Sequence, residues 1–255
     1  MVKHRSEEKL SIAIACQGLR FDNVAAIIFD KDGTLEDSGA YWRIVALERA
    51  RLIDAQIPGV GEPLQMAFGI TDNNLDPQGL MAVGSRAENE IAAAAYIAET
   101  GRSWQESKEI AQSAFAEVAE SKYLLKTAQS APLYDDVRNT LKSLSNRGIK
   151  MAIVSSDTSK AVQEFVTRYQ LDDYIQTFIG ADQGKSKPDP RLFLQACQDL
   201  YVSPEQSLMV GDTAIDMLMA QAAHAAGTIG ICRQQNQSLE GADVQIDTLL
   251  KIQAL

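Results

Sequence analysis

A chain of 255 residues, 45% of them hydrophobic, can bury one large core or two and is too apolar for intrinsic disorder. Its net charge of -10, with no run of Lys and Arg, excludes nucleic acid as a major partner. Cys16, Cys197 and Cys232 are far apart and form no C-x-x-C pair, which excludes a disulfide framework and a zinc site and fits a reducing, cytoplasmic setting.

The apolar run at 10–16 is too short to cross a membrane and lacks a cleavage site for a secretory signal, so no membrane association is expected. Residues 24–28 then form an unbroken apolar run, the pattern of a parallel strand covered on both faces. It leads into Phe29-Asp30-Lys31-Asp32-Gly33-Thr34-Leu35, where two carboxylates stand two residues apart at a strand's carboxyl end. Ligands of such sheets bind just past those ends. Like charges this close raise one pKa and attract a divalent cation, so the pair can supply an ionised nucleophile or ligand and a proton donor. Asp-x-Asp-Gly also heads turns and calcium loops. The calcium loop fails here, because its fifth and twelfth positions are Thr34 and Tyr41 and no helix-loop-helix pattern surrounds them.

From Asp37 to Ala131 strand-like runs almost vanish and alanine and glutamate abound. The periodicity predicts helices over 40–56 and 88–100, the second closed by Gly101, and a capping box at Ser103-Trp104-Gln105-Glu106 that opens a third. The stretch from Phe68 to Arg86, with Gly69, Pro77, Gly79 and Gly84, predicts an irregular loop. Trp42 and Trp104 are expected to pack against neighbouring helices. An insertion of this size directly after a strand cannot join the sheet. A core from 1–36 and 132–255 and a helical domain from 37–131 above the strand ends are therefore expected.

Beyond 131, strands are predicted at 149–154, 176–180, 207–211 and 227–231, separated by helices at 135–147, from 159, at 190–201 and at 213–226. His224, late in the last of these, is expected to complement that helix's carboxyl end. This alternation implies an α/β fold, a doubly wound parallel sheet of Rossmann-like type with every strand end on one rim. Three such ends carry polar groups. Ser155-Ser156-Asp157-Thr158 offers hydroxyls to a phosphate or a cap to the next helix. Lys185 and Lys187 lie in a proline-fixed turn, and Asp212 and Asp216 fall one helical turn apart, on one side.

Together these residues resemble the haloacid dehalogenase-like superfamily of hydrolases, mostly phosphatases. The likeness rests on Asp30-Lys31-Asp32-Gly33-Thr34, Ser155, Lys187 in Lys-Pro-Asp-Pro, and Gly211-Asp212 with Asp216, in the family's order. The helical insertion resembles the family's C1 cap, most closely that of the phosphoglycolate phosphatase-like and beta-phosphoglucomutase-like branch. The resemblance implies an aspartyl-phosphate mechanism with Asp30 as nucleophile and Asp32 as acid and base, the latter needing a raised pKa. Ser155 and Lys187, with Lys185 as runner-up, would hold phosphoryl oxygens, and Thr34 and Ser156 would line the phosphate site. Mg2+ would sit among Asp30, the Asp32 backbone carbonyl, Asp212 and Asp216. Arg43, Ser85, Arg86 and Asn89 are candidates in the insertion for reading the rest of a small phosphate ester. A monomer or a homodimer is expected.

Single positions sort the relatives. An acid at Asp32 disfavours dehalogenation, whose halide leaves unprotonated, and P-type ATPases carry Thr there. A signalling receiver needs neither the insertion nor Asp32. A binding-only pseudoenzyme is disfavoured because every catalytic residue type is present. A phosphomutase stands as the alternative to the phosphatase, with Thr34 favouring the latter.

Overall fold

The computed structural model describes residues 12–72, 74–182, 185–233 and 238–255. Residues 10 and 11 of the amino-terminal run, like His4, lie outside them. In chain order come β1 (Ile12–Cys16), β2 (Leu19–Val24), β3 (Ala26–Phe29), α1 (Gly39–Gln56), α2 (Gly61–Phe68), β4 (Ile70–Thr71), β5 (Asn74–Leu75), α3 (Leu80–Val83), α4 (Arg86–Glu99) and α5 (Trp104–Glu120). There follow α6 (Val137–Asn146), β6 (Lys150–Val154), α7 (Ser159–Arg168), β7 (Thr177–Ile179), α8 (Pro190–Asp199), β8 (Ser207–Gly211), α9 (Ala214–Ala222), β9 (Gly227–Ile231), β10 (Val244–Ile246) and β11 (Ile252–Ala254).

The architecture is α/β. Among the described residues, six strands form one sheet in the order β10-β9-β8-β3-β6-β7, all parallel. Strand β3 is central, and its four residues are all buried, as a continuous apolar run covered on both faces requires. One face packs Ile27, Phe29, Ile153 and Val210 against Leu141 and Phe165; the other packs Ile28, Val154 and Met209 against Phe193 and Met219. Alternate residues of each strand thus serve opposite layers. In register, Phe29 lies beside Ile153 on one neighbour and Val210 on the other. Asp30, Ser155 and Asp212 consequently leave the sheet on the same rim.

The helices between β3 and α6 bury a separate apolar cluster, including Val45, Ile53, Leu64, Phe68, Ile97 and Phe115. Phe68 and Phe115 meet edge to face, with ring centroids 6.2 Å apart. The expected irregular loop is more ordered than its glycines suggest, with the β4–β5 pair and the single turn α3 inside it. Gly69 and Gly79 permit this, since a Cβ on either would stand 2.9 Å from the other's Cα. The two-sided capping box falls at Ser85–Glu88, not at Ser103, whose side chain accepts from Glu106 N without the return bond. Trp104, expected to pack, is half exposed at the start of α5.

The apolar run at 24–28 is interrupted. β2 ends at Val24, and Ala25 N turns to Gln206 O before β3 begins. β1, β2 and β11 form a small antiparallel sheet of their own. α9 stops at Ala222, earlier than predicted, and His224 sits beyond it at φ +58. No helix of the described residues is long and apolar enough to cross a membrane.

Candidate active site

Asp30 continues β3, its N–H donating to Val210 O at 2.8 Å. Its carboxylate is buried and meets Lys187 Nζ at 2.5 Å. The same ammonium reaches Asp216 Oδ1 at 2.7 Å. Lys187 thus joins two strand ends, whereas Lys185 is exposed. Burial pushes the Asp30 carboxyl up to about 6, with Lys187 opposing and Asp216 reinforcing the rise. Burial also opposes the charge on Lys187, but Asp216 and Asp30 hold it well above the ordinary lysine value.

Asp212 completes the group. Oxygens of Asp30, Asp212 and Asp216 all lie within 4.8 Å of one another. Burial, then repulsion from Asp30 and Asp216, lifts the Asp212 carboxyl well above the usual carboxylate range. Gly33 makes this approach possible, for at φ +72 a Cβ there would fall 2.0 Å from Asp212 Oδ2. Thr34 Oγ1 donates to Asp212 Oδ1 at 3.3 Å, so Thr34 supports the carboxylate from behind. Asp216 is fixed by the capping box that opens α9, where Thr213 Oγ1 donates to its Oδ2 at 2.5 Å.

The donors themselves test the expected metal. Three carboxylates facing a single ammonium leave an excess of negative charge, since Lys187 alone is shared between Asp30 Oδ1 and Asp216 Oδ1. An all-oxygen set of this kind suits a hard divalent cation such as Mg2+. The Asp32 carboxylate stands outside the cluster.

Asp32 faces elsewhere. Its Oδ2 meets Lys31 Nζ at 2.5 Å; its Oδ1 accepts from Trp42 Nε1 at 2.9 Å and from Lys126 Nζ at 2.6 Å. Burial pushes its carboxyl up, but Lys126 and Lys31 outweigh burial and hold it well below the usual range. The two aspartates are therefore split, with the opposite assignment to the expected one and by different causes: burial raises Asp30, and Lys126 and Lys31 lower Asp32. Lys31 and Lys126 both reach the fully buried Glu36, and Arg168 approaches it at 3.6 Å.

Ser155 is buried at the end of β6, where its Oγ accepts from Asp157 N at 3.1 Å. Ser156 Oγ donates to Val83 O at 3.4 Å and so touches α3. A cavity of about 120 Å³ opens over Asp30, Asp32, Gly33 and Asp212 and runs to Trp42, Leu75, Pro77 and Ala82 on the helical side. Arg43, Ser85, Arg86 and Asn89 do not line it. Ser85 caps α4, Arg86 pairs with Glu90 at 2.7 Å, and Asn89 Nδ2 donates to Ser85 O at 2.9 Å. Trp42, expected only to pack, instead binds Asp32 and lines the cavity. Glu36, Lys126, Tyr134 and Arg233 escaped the sequence reading. Only Glu36 carried a signal, a carboxylate directly after the motif's Leu35.

A model of the haloacid dehalogenase-like hydrolase family matches residues 24–224. Pseudomonas putida "Probable phosphoglycolate phosphatase" is 35% identical over 92 residues, 36% of this chain and 37% of that protein. That match thus spans well under two thirds of the relative's length. Phosphoglycolate phosphatase of Aliivibrio fischeri is 30% identical over 207 residues, 80% of this chain and 82% of the relative. Among solved structures, a HAD phosphatase from Thermococcus onnurineus superposes with a TM-score of 0.62 at 21% identity, over 89% of this chain and 95% of that one. At that identity the likeness speaks for the fold.

Proposed function

The chain belongs to the haloacid dehalogenase-like hydrolases, and on that footing we propose that it is a Mg2+-dependent phosphatase that hydrolyses a small organic phosphate monoester. The observation that carries this is Lys187 between Asp30 and Asp216, with Asp212 beside them, at the open end of β3. Phosphoryl transfer asks a protein chiefly for positioning and charge stabilisation. A buried nucleophile, an ammonium and clustered carboxylates meet that demand.

Asp30 attacks phosphorus in line and carries the phosphoryl group until water removes it. Lys187 and Ser155 hold phosphoryl oxygens as charge spreads over them. Asp30, Asp212, Asp216 and the Asp32 backbone carbonyl would hold Mg2+, which supplies charge neutralisation that lets an anionic ester approach these carboxylates. Asp32 delivers a proton to the leaving alkoxide and takes one from the attacking water. Since Lys126 and Lys31 hold it ionised, it must first take up a proton from solvent or from the substrate's monoanionic phosphate as those ammonium contacts loosen. To do so it gives up at least one contact, since Lys31, Lys126 and Trp42 occupy both of its oxygens. The helices over the cavity act as a cap that excludes bulk water and reads the leaving group.

The test is hydrolysis of p-nitrophenyl phosphate with and without excess chelator, together with rapid-quench trapping of labelled phosphate on the protein. Metal-dependent release of free phosphate, and a label lost in Asp30→Asn, are expected. Turnover undiminished in chelator removes the metal from this reading. Label that passes from a sugar phosphate to its isomer replaces phosphatase with mutase.

A further inference from the structure

The leaving group of an ester bound at Asp30 must lie in this cavity, whose described lining offers no unpaired cation to a second anion. Lys126, 5.0 Å from the Trp42 ring, is not among the lining residues and is paired with Asp32 and Glu36. Trp42, Leu75, Pro77 and Ala82 form the cavity's wall on the helical side. Arg233 is the one cation among the described residues that line the cavity, and it is already committed. Its Nη1 and Nη2 clasp Asp136 at 2.6 and 3.1 Å, and Nη2 also donates to Thr34 O at 2.6 Å. Its guanidinium lies 3.9 Å from the centroid of the Tyr134 ring, and its remaining Nε–H is sealed from solvent.

Asp37 also lines the cavity, exposed and without an ion-pair partner among the described residues. Burial, and Asp37 beside it, keep the Tyr134 phenol protonated. A carboxylate acceptor, a phenol and a mostly apolar wall suit a neutral group that carries a hydroxyl or amide. Asp37 repels a carboxylate placed beside it, a repulsion partly screened because Asp37 is exposed, and no unpaired cation among the described lining residues offsets it. The volume agrees with a small leaving group, since about 120 Å³ is well beyond the roughly 10–15 Å³ that one water needs.

Resting on the phosphatase reading, we infer that the substrate is the phosphate monoester of a small uncharged alcohol, and that Asp37 and the cation-free wall formed by Trp42, Leu75, Pro77 and Ala82 exclude esters such as 2-phosphoglycolate, whose leaving group is anionic. In this respect the chain departs from the substrate printed in the names of its relatives.

The matched pair of 2-phosphoglycolate and its isosteric amide, O-phosphoglycolamide, tests this with intact protein and Mg2+, with p-nitrophenyl phosphate as the reference ester. A kcat/KM at least about tenfold higher for the amide is expected. Asp37→Asn should narrow that gap, and Ala82→Lys should raise use of the carboxylate further, with thermal unfolding checking that each variant folds. Equal or better turnover of 2-phosphoglycolate overturns the inference while leaving the phosphatase reading intact. A preference for O-phosphoethanolamine over the amide overturns it in favour of a cationic leaving group. Loss of all turnover, p-nitrophenyl phosphate included, overturns the phosphatase reading and this inference with it.

Discussion

Lys126 Nζ lies 2.6 Å from Asp32 Oδ1, an ion pair that ties the segment after α5 to the loop after β3 across 94 positions of sequence. The same ammonium reaches Glu36 and sits about 5 Å from the ring centroids of Tyr41 and Trp42. Removing one partner of a buried pair leaves the other charge uncompensated. Lys126→Met keeps the alkyl stem and should cost about 3 kcal/mol in urea unfolding, the low end for a buried pair, because Lys31 and Arg168 still face Glu36. A double-mutant cycle with Asp32→Asn should return a coupling of about 1–3 kcal/mol. Additive losses would mean that the contact contributes nothing.

Asp32→Asn separates acid work from structure. General acid help is worth about 10²- to 10⁴-fold and matters least when the leaving group is already a weak base. The variant should lose far more kcat with an alkyl phosphate than with p-nitrophenyl phosphate, while Asp30→Asn should lose both alike. Equal losses in Asp32→Asn would strip it of the proton-transfer role.

Gly33→Ala tests the close packing behind the metal ligands. The left-handed φ of +72 costs a residue with a Cβ roughly 1–2 kcal/mol, and the new methyl also displaces Asp212, whose Oδ2 lies 2.0 Å from where it would stand. Wild-type protein should gain thermal stability with Mg2+, about 2.7 kcal/mol at a hundred times Kd. The variant should start lower and gain much less at the same concentration. An undiminished Mg2+ response would show that Asp212 does not hold the ion.

The parallel sheet was legible because its strands announce themselves. β6, β8 and β9 are buried on both faces, and their apolar runs predict their bounds within a residue. Such strands also deliver Asp30, Ser155 and Asp212 to one rim, which is why their convergence could be argued before any geometry. β1 and β2 are half exposed and short, and β11 joins β1 from the far end of the chain, a pairing no local pattern encodes. α2 was hidden by its opening Gly61-Glu62-Pro63. Lys126 and Arg233 lie in segments without periodicity, and their value comes from partners 94 and 97 residues away. Asp32's low pKa was missed for the same reason, since Lys126 is its strongest opposing charge.

Asp136 gives the pH dependence with a definite sign. It accepts from Arg233, from Thr248 Oγ1 at 2.7 Å and from Leu249 N at 2.8 Å. Burial pushes its carboxyl up, but the Arg233, Thr248 and Leu249 hydrogen bonds outweigh it, so its folded pKa lies below the ordinary 3.8. A depressed folded pKa means that the stabilisation is fully present above the unfolded value and is lost as pH falls through the folded one. Asp136→Asn leaves Arg233 without its counter-charge and should cost about 3 kcal/mol at pH 7. The gap between wild type and variant should stay level from about pH 8 to pH 5 and narrow as pH drops through about 3.8 toward the folded pKa, by the share of it that the pKa depression carries. Wild-type stability alone cannot show this, because other carboxylates titrate in the same range; the difference between the two proteins isolates Asp136. Because Arg233 also holds the Thr34 carbonyl at 2.6 Å, the variant should lower activity too, even though Asp136 is not among the residues that line the cavity. Urea unfolding of both proteins at steps of pH measures it, and a gap that persists undiminished down to pH 3 would show that the ionised form of Asp136 is not what holds Arg233.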